Sequence, residues 1–159
     1  MTTAKPFYGF DPFVLGKSRE QIKAAAGAPD SISCESFLEG SAQESWCYQQ
    51  AGVELDFLED EGWRLASITI ESPDISINGV CFVGMAAAQL MEAAAAAGIA
   101  DLVPTDDFEA GGACYESDDF GLMIWINNGV VINLTLFPEY DKMREHAIWP
   151  NALPTTGRS

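Results

Sequence analysis

Positive charge is scarce in this chain. Eight Lys and Arg face 24 Asp and Glu over 159 residues, which leaves a formal charge of −16. No basic stripe exists to neutralise phosphates, which counts against sequence-independent nucleic-acid binding, and an anionic membrane surface would repel the chain. Metal-ligating chemistry is thin as well. There is one histidine, His146, and the four cysteines, Cys34, Cys47, Cys81 and Cys114, include no Cys-x-x-Cys pair. A zinc site or redox motif is therefore not expected, and reduced, partly buried thiols are. Long apolar runs are missing too. The most weakly polar stretch, Val80 to Ala100, is alanine-rich and broken by Gly84, Gln89, Glu92 and Gly98, too weakly hydrophobic to span a bilayer. The first residues, Met1 to Lys5, lead into no apolar core segment or cleavage pattern, so no signal peptide is expected and the location is read as cytoplasmic. Asn133-Leu134-Thr135 matches a glycosylation pattern but sits inside an apolar strand run.

What is present is enough apolar residue for a packed core, 48% of the chain. The length favours one domain or two small halves sharing a core, and a chain of this size buries ~70% of its unfolded surface without disulfides or metal. Self-similarity is visible. Val14 to Ala26 aligns with Phe82 to Ala94, and Cys47-Tyr48 with Cys114-Tyr115. Further on, Gly52 to Phe57 aligns with Gly121 to Ile126, and Ile68-Thr69-Ile70 with Leu134-Thr135-Leu136. Four segments in one order at nearly constant spacing point to duplication.

Both copies read alike. Ser18 is an N-cap with Gln21 three residues on, and Ile22, Ala25 and Ala26 have helical spacing before Gly27 and Pro29 stop the helix. In the second copy Leu90, Ala94 and Ala97 form the stripe and Gly98 ends it. Val53, Leu55 and Phe57 alternate with Glu54, Asp56 and Leu58, a half-buried strand, and Asp60-Glu61-Gly62 turns the chain back. Asn127-Asn128-Gly129 is a hairpin signal joining Gly121–Ile126 to Val130–Phe137. The expected fold class is α+β: two tandem repeats, each a helix followed by antiparallel strands, with the helices packed on one face of the sheet. The divisions expected are residues 1–75, 76–138 and a C-terminal segment 139–159. Within that segment Tyr140 to His146 reads as a short helix, Trp149-Pro150 as docking back on the body, and Asn151 to Ser159 as a frayed end.

Leu15-Gly16-Lys17-Ser18-Arg19-Glu20-Gln21-Ile22 followed by Gly27-Ala28-Pro29-Asp30 resembles the signature of a small helix-and-sheet module. That module occurs in the beta-lactamase-inhibitor-protein-like group and in the SmpA/OmlA small lipoproteins, and the resemblance covers roughly residues 10 to 138. It implies a non-enzymatic protein whose joined sheets form a concave face that grips another protein. The chain departs from the lipoproteins in showing no lipidated leader, and from the secreted inhibitors in showing no suitable local cysteine pairing. A relative with a different target is implied, similar to the immunity proteins that bacteria keep against interbacterial toxins.

Catalytic patterns are weak. Gly16-Lys17-Ser18 would need a glycine where Asp11 stands to make a phosphate loop, and the positions after Asp56 do not fit a calcium loop. His146 has no nucleophile paired with it in sequence, and no serine sits in a nucleophile-elbow pattern. No catalytic residue, metal or cofactor is assigned, and the chain is read as not an enzyme. The acids cluster at Glu54 to Glu61, Asp101 to Glu109, Glu116 to Asp119, and Glu139 with Asp141. Glu54 and Asp56 take the outward parity of their strand, and their repeat partners are Met123 and Trp125. If the sheets join side by side, acids and an aromatic anchor share an outer face suited to a basic protein. The candidate partner-binding residues are Glu54, Asp56, Glu59, Asp60, Tyr115, Asp118, Asp119, Met123 and Trp125. The function expected is a cytoplasmic immunity protein that neutralises a cognate toxin by stoichiometric binding. The alternatives are a dimeric secretion-effector chaperone and a carboxylate-based enzyme.

Overall fold

A computed structural model of the chain describes residues 2–36, 41–105, 112–141 and 147–150. The elements run β1 (Thr2–Ala4), β2 (Gly9–Phe10), β3 (Phe13–Val14), α1 (Arg19–Ala26), β4 (Ser31–Ser36), β5 (Ala42–Tyr48), β6 (Val53–Leu58) and β7 (Arg64–Ile70). There follow β8 (Ile75–Ile77), α2 (Leu90–Ala96), β9 (Val103–Pro104), β10 (Gly112–Ser117), β11 (Leu122–Asn127), β12 (Val130–Leu136), β13 (Glu139–Tyr140) and β14 (Ala147–Ile148).

Local chemistry explains the boundaries. Ser18 Oγ accepts the Gln21 backbone N–H while Gln21 Oε1 accepts the Ser18 N–H, so the capping box forms and α1 starts where its sequence says. Gly27 closes α1, its N–H donating to the Lys23 carbonyl. Before α2 the chain makes a 3-10 turn over Ala87–Gln89, and the first helical residue is Leu90. Between β6 and β7, Glu59–Glu61 form a 3-10 turn closed by Gly62 in the left-handed region. Asn128 and Gly129 both have positive φ, 53° and 78°, the conformation a two-residue hairpin turn between β11 and β12 requires.

The tertiary arrangement corrects the expected α+β class. Strand takes 49% of the described residues and helix 16%. Eight strands form one antiparallel sheet in the order β4-β5-β6-β7-β12-β11-β10-β9, in place of two tandem helix–sheet repeats with helices packed on the sheet. The physical reason is the poverty of the helices. Glycines stop them after 8 and 7 residues, and they bury only Ile22 from α1 and Leu90 and Ala94 from α2. By contrast β6, β11 and β12 each bury three side chains, on one parity in β6 and β11 and across a bulge in β12. Burying a Leu, Ile or Phe is worth ~1.5–3 kcal/mol, so the strands carry the larger share of the driving force.

A single core lies on one side of the sheet. Trp46, Leu55, Phe57, Ile68, Ile70, Leu122, Ile124, Leu134 and Leu136 form its floor. Short strands and irregular chain supply most of the cover: Phe10, Phe13 and Leu15 around the β2–β3 hairpin, Ile75 and Ile77 of β8, and Phe82, Ile99 and Leu102. Trp149 does return to the body, 7% exposed and with its ring against Gly16. Tyr140 belongs to β13 and Asp141 has no regular structure, so the helix expected from Tyr140 does not start there; residues 142–146 fall outside the described residues, as do Asp106, Asp107 and Glu109.

Gly121 tests the packing under the β10–β11 turn. Its φ is +58°, and a Cβ there would stand 2.6 Å from the Phe137 carbonyl oxygen and 2.6 Å from Phe7 Cε1. Gly121→Ala combines left-handed strain with overpacking and is expected to cost ~2–4 kcal/mol. Gly62→Ala, at φ +70° with nothing within 4 Å, is expected to cost about 1 kcal/mol. Urea midpoints of the two variants check the ordering.

Candidate partner-binding face

The face of the sheet opposite the core is built by strand alternation, interrupted by a bulge in the β6–β7 pairing and another in the β11–β12 pairing. On β6 the buried residues are Val53, Leu55 and Phe57, which leaves Glu54, Asp56 and Leu58 half-buried on the other side. Register carries that parity across the sheet. Cys47 pairs with Glu54, Glu54 with Thr69, Thr69 with Thr135, Thr135 with Met123, Met123 with Glu116, and Glu116 with Val103. A second row runs Ser33, Ser45, Asp56, Ser67. On the other flank Trp125 pairs with Asn133 and with Cys114. Glu54 and Met123 are three strand steps apart, roughly 14 Å.

Hydrogen bonds tie the middle of this face together. Asp56 is held by three donors: Ser45 Oγ at 2.6 Å and Gln43 Nε2 at 3.2 Å on Oδ1, and Ser67 Oγ at 2.9 Å on Oδ2. Thr69 Oγ1 and Thr135 Oγ1 are 3.3 Å apart across the central strand pair, and Trp125 Nε1 donates to Thr135 Oγ1 at 3.3 Å. Asn133 Oδ1 is buried with no donor among the described residues, a defect that costs ~1–3 kcal/mol.

The field over β5 and β6 is negative. Burial raises the Glu54 carboxyl above its ordinary value, and Asp56 and Glu71 add to the shift. Burial likewise raises the neighbouring Cys47 thiol, reinforced by Glu71, Glu54 and Asp30. The row from Cys47 to Val103 and the row from Ser33 to Ser67 contain no Lys or Arg; Arg64 lies one row further out, paired with Leu58. Among the described residues no group of three His, Cys, Asp or Glu is placed to hold a metal ion.

The structure therefore brings Glu54, Asp56, Met123 and Trp125 onto one face. Glu59 and Asp60 are exposed in the turn after β6, and Asp118 and Asp119 are exposed in the turn after β10. Because β6 and β10 run in the same direction in the sheet, both turns lie at one end of it. Tyr115 is on the opposite parity: it pairs with Ile124 and packs against the core. Sequence reasoning did not place Glu116, Thr69 or Thr135 on the face. The signal for Glu116 was within reach, because a β10–β11 hairpin sets it opposite Met123. The two threonines depended on the β7–β12 pairing, which links residues 66 apart.

No protein family and no curated protein matches this chain. Among solved structures, the chain is similar to an extracellular protein containing an SCP domain from Bacillus anthracis str. Ames, with a TM-score of 0.45 and 8% identity. The match covers 79% of this chain and 44% of that one, so the chain spans less than half of its length.

The Glu54 environment has a pH signature. The folded chain holds this proton more tightly than the unfolded chain, so ionising Glu54 costs stability as pH rises from the ordinary value of 4.5 through the raised one. Glu54→Gln is expected to unfold at higher urea than the parent at pH 7. The gap should close well below pH 4.5, where the parent residue is protonated in both states.

Proposed function

We propose that this chain is a non-enzymatic binding protein that captures a protein with a basic surface on the outer face of its sheet. Its biological form in this reading is a cytoplasmic immunity protein that neutralises a cognate toxin by stoichiometric binding. The observation that carries this reading is the shared face: Glu54, Asp56 and Glu116 on the same side as Met123 and Trp125, with no Lys or Arg in the rows between them. An indole and a thioether supply apolar contact area, and the flanking carboxylates draw a cationic partner and orient it. The chain's charge of −16 exceeds what solubility of a small domain needs, ~2–8 in magnitude, and such an excess is put to use by a cationic target.

A second reading, a secretion-effector chaperone that holds an extended segment of cargo, draws on a different feature. All six residues of β4 are exposed, and β4 lies at the edge of the sheet, where an added strand finds open backbone groups. Size-exclusion chromatography separates the two readings, because the chaperone would be an obligate dimer and the immunity protein a monomer that forms a one-to-one complex.

Co-expression with neighbouring genes followed by purification at low and high salt is the direct experiment. A salt-sensitive complex is expected, and recovery of the chain alone together with turnover of small substrates would end the proposal. On the complex, Glu54→Lys with Glu116→Lys is expected to slow association by about 10–1,000-fold at low ionic strength with little change in dissociation. Asp56 is unsuited to this test because three donors build it into the sheet. An unchanged association rate would move the binding face elsewhere.

A further inference from the structure

A cavity of about 330 Å³ lies away from the outer face, where β10 turns into β11 and β12 gives way to β13. Three aromatic side chains, Phe7, Phe137 and Tyr140, line it together with three carboxylates, Asp118, Asp119 and Glu139. The walls are anchored from beneath. Asp101 accepts a hydrogen bond from Ser117 Oγ at 2.5 Å and from the Asp119 backbone N–H at 3.0 Å. Ser117 Oγ in turn accepts the Phe120 N–H at 3.2 Å. The turn that carries Asp118 and Asp119 is thus fixed by a buried serine and a carboxylate below it. The Phe7 ring rests on Gly121, so close that a Cβ would stand 2.6 Å from Cε1, and the Phe137 N–H donates to the Gly121 carbonyl at 3.0 Å.

The combination of walls selects a ligand chemistry. Aromatic faces and carboxylates are both attractive to positive charge, and rings favour a large, weakly hydrated cation that can shed water against them. A bare divalent metal would want six or more oxygens, and the rings offer none. The volume is at the small end of the ~300–1,000 Å³ range of ligand sites.

We propose that this cavity binds an organic cation, an alkylguanidinium or alkylammonium group held between the rings of Phe7, Phe137 and Tyr140 and the carboxylates of Asp118, Asp119 and Glu139. That chemistry is shared by an arginine or lysine side chain of a protein partner and by a free quaternary ammonium compound. The proposal stands independently of the outer face, and it can hold if that face proves inert.

The test titrates the full-length, nitrogen-15-labelled chain with three probes: N-acetyl-arginine amide, tetramethylammonium, and N-acetyl-citrulline amide as a neutral copy of the first. Saturable shifts are expected for the amides of residues 118–121, 137, 139 and 140 with arginine, and none with citrulline. A preference of ten-fold or more for the arginine derivative identifies a protein side chain as the natural occupant; tetramethylammonium binding as well or better identifies a free cation. Asp118→Asn with Asp119→Asn should weaken binding at least ten-fold, whereas Glu20→Gln with Glu92→Gln, which removes the same charge elsewhere, should not. Equal response to citrulline, shifts scattered over the whole acidic surface, or full affinity in the Asp118/Asp119 variant would overturn the proposal. The citrulline comparison uses the unaltered chain, so it decides the matter even if a variant fails to fold.

Discussion

Ile68, Thr69 and Ile70 of β7 pair with Leu136, Thr135 and Leu134 of β12, and the rest of the molecule depends on that short antiparallel contact. It joins β4 to β7 with β9 to β12, and without it each four-stranded set would present an unpaired edge at β7 or β12. Its two faces do different things. The isoleucines and leucines are fully buried and lie at the centre of the core. The threonines sit opposite each other on the outer side, with their hydroxyls 3.3 Å apart and Trp125 Nε1 donating into the pair. Glu54 and Met123 flank this seam in the same row, so the candidate binding face exists only because the pairing does.

The charge on that face is little compensated. Among the described residues one ion pair is formed, Arg19 with Glu44 at 3.3 Å, and it lies on the core-side parity of β5 beside Trp46. Asp56 is held by neutral donors, while Glu54 is held less comfortably, its ionised form penalised by burial and by Asp56 and Glu71. Exposed charges interact over a Debye length of about 8–10 Å at ordinary ionic strength, so row neighbours reinforce one another and distant clusters do not. The acids of the β6–β7 and β10–β11 turns therefore act as separate features at the same end of the sheet. The second of them borders a cavity lined by Phe7, Phe137 and Tyr140.

Local features of the fold were legible in the chain. The Ser18–Gln21 capping box, the stop at Gly27, the alternation of β6 and the Asn128-Gly129 turn are each decided by residues within a few positions of one another. The class was misread because two helical stripes looked as substantial as the strands. In sequence, Ile22 with its alanines and Leu90 with its alanines have the right period. In space, alanine buries little area, and Phe13, Phe82 and Trp149, from segments without regular structure or from short hairpins, take the room that longer helices would have filled. Periodicity reports which way a side chain points and says nothing of how much of the sheet it covers.

The candidate face divides along the same line. Parity alone was enough to set Glu54 and Asp56 on the outward side of their strand, because a strand has a period of two whatever surrounds it. Parity also placed Tyr115 inward once Cys114 stood opposite Trp125, a consequence of hairpin register that composition could not supply. That the acids of β6 share a surface with Met123 and Trp125 of β11 required β7 to find β12, and that contact is specified by complementary burial over a long loop closure. By itself the sequence determined its charge, its turns and caps, and the two sides of each strand, since these follow from backbone stereochemistry and near neighbours. Only the tertiary structure decided that the strands form one sheet and that rings and carboxylates from three separate segments, around Phe7, Asp118 and Phe137, meet in one cavity. Such meetings depend on the balance of buried area across the whole chain, which no local pattern records.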